Sequence, residues 1–139
     1  MNENNLYDLA GRIAVVTGGY GVLGSSMALF LSQQGARVAI LGRDAGRGEA
    51  QAAEIARATG GETLFLEADV LDKAALERAC ERLMAEWGEP DILINAAGGN
   101  QAGATIAPDQ TIFDLDAEAM RRVVDLNFMG TVLPTLVFG

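Results

Sequence analysis

The segment Thr17-Gly18-Gly19-Tyr20-Gly21-Val22-Leu23-Gly24 constrains this chain more than any other. It follows the apolar run Arg12-Ile13-Ala14-Val15-Val16, which predicts a buried parallel strand, and it opens a helical pattern from about Ser25 to Gln34. Glycines here let the chain turn tightly off the strand and let backbone approach a bulky anion. The helix that follows presents unpaired N–H groups and the positive end of its dipole. Glycine-rich turns are common, and a lone Gly-x-Gly-x-x-Gly is weak. Gly19, Gly21 and Gly24 match that spacing with a strand before and a helix after, which is the context a pyrophosphate site requires.

Strand and helix patterns then alternate along the chain. Arg37-Val38-Ala39-Ile40-Leu41 predicts a second strand, announced by Gly35, and an Ala-rich helix runs from Ala45 to about Thr59 until Gly60-Gly61 stops it. Thr63 to Glu67 gives a third strand. Asp72 caps a helix from Lys73 to Trp87, with Leu76, Ala79, Cys80, Leu83, Met84 and Trp87 on one stripe. Asp91-Ile92-Leu93-Ile94-Asn95 is the fourth strand. Such βα units predict an α/β fold, a Rossmann-type doubly wound parallel sheet of order 3-2-1-4, with ligand bound outside the strands' carboxyl ends.

Composition narrows the function classes. The 139 residues, half of them hydrophobic, suffice for one domain with a sizeable core, and a formal net charge of -9 disfavours nucleic acid or anionic lipid as partner. No apolar run approaches membrane-spanning length, and Met1-Asn2-Glu3-Asn4-Asn5 lacks the features of a signal peptide, so the expected compartment is the cytoplasm. The single cysteine, Cys80, reads as a small core residue and not a nucleophile, and no metal site is expected in a chain without histidine.

Four turns carry the informative residues to one rim. After the second strand comes Gly42, then Arg43. A carboxylate about 20 residues past the glycine turn would take ribose hydroxyls, whereas an arginine there accommodates a 2′-phosphate, so NADP(H) is favoured and NAD(H) stays open. Asp44 can reach the ribose or cap the next helix, and Arg43 can be an ordinary surface arginine. Asp69-Val70 follows the third strand, where Asp69 can accept from adenine or simply end the strand. Asn95-Ala96-Ala97-Gly98 closes the fourth, with an amide able to donate to one backbone and accept from another beside residues small enough for a flat ligand.

A long polar segment, Gly99 to Asp114, reads as functional or mobile. A last helix starts near Asp116, with Met120, Val123 and Val124 as its apolar stripe and Asn127 on the same face, either a site residue or a structural amide. Gly130 and Pro134 predict a bent or locally opened helix beyond it.

Taken together, Thr17 to Gly24, Asp69-Val70, Asn95 to Gly98 and Asn127 resemble the short-chain dehydrogenase/reductase family over essentially the whole chain. The resemblance implies hydride transfer between a nicotinamide and a small-molecule carbonyl or alcohol. It implies that Gly18 and Gly24 border the pyrophosphate, that Asp69 meets adenine, that Asn95 steadies the sheet, and that Asn127 holds a water in a proton relay. The family's usual turn is Thr-Gly-x-x-x-Gly-x-Gly; here Val22 stands at its middle glycine and Gly21 comes one residue early. Ala96 replaces the second asparagine of Asn-Asn-Ala-Gly. More narrowly, Ala97-Gly98-Gly99-Asn100, Phe113-Asp114-Leu115-Asp116 and Asp125-Leu126-Asn127-Phe128 are similar to sugar-acid members such as D-mannonate oxidoreductases.

The family's catalytic serine and Tyr-x-x-x-Lys pair have no counterpart here. The lone lysine, Lys73, follows Asp69 by four residues, and Tyr7 and Tyr20 lie near the N-terminus. Residues 1–139 therefore read as the NAD(P)-binding Rossmann half of a longer, homo-oligomeric enzyme, ending before the fifth strand and inactive by itself. The alternatives are a stand-alone nucleotide-binding module and a catalytically dead oligomerisation subunit.

Overall fold

The computed structural model describes residues 6–139, so the N-terminal reading of Met1 to Asn5 lies outside the described residues. Four parallel strands, β1 (Ile13–Thr17), β2 (Arg37–Gly42), β3 (Thr63–Glu67) and β4 (Ile92–Asn95), form one sheet of order β3-β2-β1-β4. That is the expected order. In register, Ile13 stands beside Arg37, Ala14 beside Ile92 and Val38 beside Thr63.

Helices cover both faces, which explains why the strands read as continuous apolar runs. Ala14, Val16, Val38, Ile40 and Phe65 point to one side, against Ala28 and Leu31 of α1 (Val22–Gln33) and Ala52 and Ile55 of α2 (Ala45–Thr59). Ile13, Val15, Ala39, Leu41 and Leu66 point to the other, against Leu76, Ala79 and Leu83 of α3 (Lys73–Glu86) and Phe138 of α5 (Gly130–Phe138). Each fully buried Leu or Ile adds about 1.5–3 kcal/mol, so these two layers dominate the fold's stability. Cys80 packs at the edge of the second layer, and burial, then the neighbouring Glu81, pushes its thiol pKa up, as befits a packing residue.

Aspartates start three of the helices. Asp44 accepts from Arg47 N, Asp72 from Ala75 N, and Asp116 from both Glu118 N and Ala119 N at the head of α4 (Ala117–Val124). The helix α1 differs: its N-cap is Gly21, with no side-chain cap.

Several local expectations need correction. The first helix begins at Val22, one turn before Ser25, because the glycine turn closes within Gly18 to Gly21, where Gly21 N donates to Gly18 O. Met84 on α3 is exposed, since it lies at the margin of that stripe. On α4 the inward residue is Ala119, while Met120 and Val124 face outward. The opening in the last helix falls on a π-helical turn over Asp125–Met129, ahead of Gly130, and Pro134 is buried inside α5.

Candidate functional site

The carboxyl ends of all four strands meet around one cleft of about 250 Å³. Gly18, Tyr20 and Gly21 come from the β1–α1 turn, Gly42 and Arg43 from the end of β2, Asp69 and Val70 from the end of β3, and Ala96, Ala97 and Gly98 from the end of β4. Leu41, Arg47, Ala68 and Leu126 complete it. The cleft is smaller than the ~300–1,000 Å³ that encloses a whole drug-sized ligand. The uncapped amino end of α1 lies beside it.

Close packing of backbone makes the turn. Gly18 has φ of 63°, and a Cβ there would lie 2.9 Å from Ala97 backbone. A Cβ at Gly24 would lie 2.2 Å from Gly18 O, so the first turn of α1 rests directly on the loop. Thr17, fully buried, ties the turn to the fourth strand: its hydroxyl accepts from Ala96 N and Ala97 N, both at 3.1 Å. Val22 and Leu23, on the outer side of that first turn, are exposed.

At the β2–α2 junction the Tyr20 hydroxyl accepts from Arg43 N at 3.0 Å and Asp44 N at 3.1 Å, and the Arg47 guanidinium lies 4.8 Å from the Tyr20 ring centroid. Arg43 reaches across to Asp69 at 3.7 Å, while Asp69 Oδ1 accepts from Leu71 N. Asp44 Oδ1 accepts from Arg47 N and caps α2, one of the two roles its position allowed.

Asn95 and Asn127 sit at the margins. Asn95 Nδ2 donates to Thr135 Oγ1 at 3.1 Å, a side-chain partner on α5 where a backbone pair was expected. Among the described residues, its Oδ1 is the buried side-chain oxygen with no hydrogen-bond partner. The Asn127 amide is taken up by backbone: Nδ2 donates to Gly99 O at 2.7 Å and Val123 O at 2.8 Å, and Oδ1 accepts from Gly99 N at 3.2 Å. It thereby fixes the loop that leaves β4.

Comparison with known proteins gives this geometry a lineage. A family model described as short chain dehydrogenase matches residues 12–138. The chain belongs to that family. An uncharacterized oxidoreductase UxuB of Bacillus subtilis is 44% identical over 140 residues, covering 95% of this chain and 50% of that protein. A provisionally assigned D-mannonate oxidoreductase of Haemophilus influenza, solved with bound NAD, superposes with a TM-score of 0.87 at 31% identity, over 96% of this chain and 52% of the other. Xylitol dehydrogenase, solved with NAD+ bound, superposes with a TM-score of 0.82 at 25% identity, over 93% and 47%. This short-chain dehydrogenase chain thus spans about half the length of the relatives it matches.

Of the site residues expected from the short-chain dehydrogenase motifs, Gly18, Tyr20, Gly21, Arg43, Asp69, Val70, Ala96, Ala97 and Gly98 line the cleft together. Thr17 and Gly24 support it from behind, Val22 and Leu23 stand on the α1 side, Asn95 turns toward α5, and Asn127 braces Gly99. Arg47 lies in the cleft and went unread. A signal existed: an arginine in the first turn of a helix faces the dipole's positive end, an unfavourable place unless an anion or a π face compensates. No metal-binding cluster of His, Cys, Asp and Glu occurs among the described residues, and no described helix is long and apolar enough to cross a membrane.

Proposed function

We propose that residues 1–139 form the cofactor-holding half of a nicotinamide-dependent oxidoreductase, and that NADP(H) is its favoured cofactor. One observation carries this reading: four strand ends converge on a single cleft beside the one helix of α1 to α4 whose amino end lacks a side-chain cap. The residues present fit a dinucleotide. Gly18 and Gly24 hold backbone close enough that the turn presents N–H groups to a pyrophosphate, and the dipole of α1 adds its positive end. Asp69 offers an acceptor to an adenine amino group, and Ala96, Ala97 and Gly98 leave a flat floor. Arg43 and Arg47 both line the cleft at the β2–α2 junction, where guanidiniums suit a ribose 2′-phosphate, and Asp44 caps its helix through one oxygen.

The bound cofactor would supply or accept the hydride; this chain's residues bind and orient it. Asn127 holds the Gly99 loop at the rim, and its Oδ1 keeps a second lone pair for the relay water that the family implies. An acid/base tyrosine with its lysine has no counterpart in these 139 residues, so proton transfer to the substrate falls to residues outside them. The substrate we favour is a sugar acid of the D-mannonate or D-fructuronate type, supported by the Ala97 to Asn100 and Asp125 to Phe128 motifs and by the Haemophilus relative. The complete protein is read as a cytoplasmic homo-oligomer, the single cysteine and the exposed apolar residues of α4 and α5 being the supports.

Calorimetric titration of the 139-residue chain tests this. NADPH is expected to bind more tightly than NADH, Gly24→Asp to abolish binding of both, and neither NADPH nor NADH to be oxidised with a keto sugar acid. Steady NADPH oxidation by this chain would overturn the half-enzyme reading. Unchanged nucleotide affinity in Gly24→Asp would overturn the site itself.

A further inference from the structure

We propose that Tyr20 is the positioning residue for cofactor choice, holding Arg47 and the Gly42 to Asp44 backbone in the arrangement that receives a 2′-phosphate. The inference deepens the NADP(H) reading above and rests on it. The Tyr20 side chain leaves the glycine turn and crosses to the β2–α2 junction. There its hydroxyl takes the N–H groups of Arg43 and Asp44, at 3.0 and 3.1 Å, and its ring supports Arg47 at 4.8 Å.

The same ring forbids a side chain at the end of β2. A Cβ at Gly42 would lie 2.1 Å from Tyr20 Cε1 and 2.8 Å from the hydroxyl. That is where a dinucleotide fold selecting NAD places the carboxylate that binds the ribose hydroxyls. With Tyr20 in this position there is no room for such a carboxylate. Of the nearby carboxylates, Asp44 caps α2 through one oxygen and Asp69 faces Arg43 at 3.7 Å. The Arg47 guanidinium, held on the Tyr20 ring, makes no ion pair among the described residues and is left to meet an incoming group. Arg47 stands in the first turn of α2, where the helix dipole opposes it, and the Tyr20 π face offsets that cost until a phosphate arrives.

The test uses two probes that differ only by the 2′-phosphate, 2′,5′-ADP and 5′-AMP, titrated calorimetrically into the 139-residue chain and four variants whose folding is checked by circular dichroism. The unsubstituted chain is expected to prefer 2′,5′-ADP by about tenfold or more, the equivalent of one charge-assisted hydrogen bond. Tyr20→Ala should bring that ratio to near unity, lowering 2′,5′-ADP affinity by more than it lowers 5′-AMP affinity. Tyr20→Phe, which keeps the ring and loses the hydroxyl, should retain part of the preference. Arg47→Met should lower 2′,5′-ADP alone, and adding Tyr20→Ala to it should lower the ratio by less than Tyr20→Ala does in the parent chain, because the two residues act as a unit.

A preference in the parent chain that Tyr20→Ala and Tyr20→Phe leave intact overturns the inference alone, as does an equal loss of both probes, which marks a merely structural tyrosine. If Tyr20→Ala does not fold, an unchanged ratio in Arg47→Met has the same force. A parent chain with no preference for 2′,5′-ADP overturns the NADP(H) reading as well.

Discussion

At the scale of single residues, the site depends on atoms that are missing. Gly24 is a helical position that alanine would ordinarily improve, yet its Cβ would sit 2.2 Å from Gly18 O. Gly24→Ala is therefore expected to cost about 1–3 kcal/mol by overpacking, read as a lower urea midpoint, whereas the exposed neighbour change Ser26→Ala should stay within about 0.5 kcal/mol. Equal midpoints would show that the turn can give. Charge acts at the same scale on the far side of the sheet. Asp91 accepts from Ile13 N at 2.9 Å and from Arg12 Nη1 at 2.7 Å, and these bonds, the backbone one first, hold its carboxyl below the ordinary value of 3.8. The stability they contribute is fully present above that value and is lost as pH falls through the depressed one. Asp91→Asn should consequently flatten the fall of melting temperature below about pH 4, and parallel acid profiles would refute the linkage. Both glycine and aspartate roles are local, which is why the motif spacing and the capping aspartates could be read from the chain. The contacts that Tyr20 makes with Arg47 and at Gly42 could not, because Tyr20 lies more than twenty positions away and on another loop.

At the scale of elements, the glycine turn and the fourth strand are held together by one buried hydroxyl. Thr17 ends β1 and accepts from Ala96 N and Ala97 N beyond β4, so one side chain sets the width of the cleft floor. Thr17→Val keeps the shape and removes the acceptor, leaving two partly buried N–H groups unpaired at about 1–3 kcal/mol for each that water does not reach. The expected signature is faster hydrogen exchange at Ala96 and Ala97 with Thr17→Ser restoring protection; unaltered exchange would assign those amides another partner. The last helix shows how tertiary context alters a legible pattern. Gly130 and Pro134 announce a break, but the π-helical turn forms earlier, over Asp125–Met129. Asn127 Nδ2 bonds Val123 O, the carbonyl four residues back that an α-helical N–H would use, and the same amide binds Gly99. The competing bonds lie between a helix and a loop, so periodicity alone placed the break too late and oriented Met120 and Val124 inward.

At the scale of the whole molecule, alternating βα units with apolar strands allow few arrangements, and the order β3-β2-β1-β4 is one of them. What the chain presents outward follows from no such rule. Within the described residues β4 pairs with β1 on one side and with no strand on the other, and Val124, Phe128 and Leu136 of the last helical stretch are exposed at 53%, 65% and 67%. An unpaired edge beside an apolar helix face favours association. The formal charge of -9 opposes it, and that repulsion is screened once the Debye length falls to about 10 Å near 0.1 M salt. The 139-residue chain should accordingly scatter light as more than a monomer, and more so as salt rises. Phe128→Ser with Leu136→Glu should shift it toward the monomer while changing stability by no more than about 0.5 kcal/mol per site, since both side chains are already largely in water. A monodisperse monomer at every salt concentration would mean that charge outweighs the apolar face, and the homo-oligomer reading would then lose its structural support.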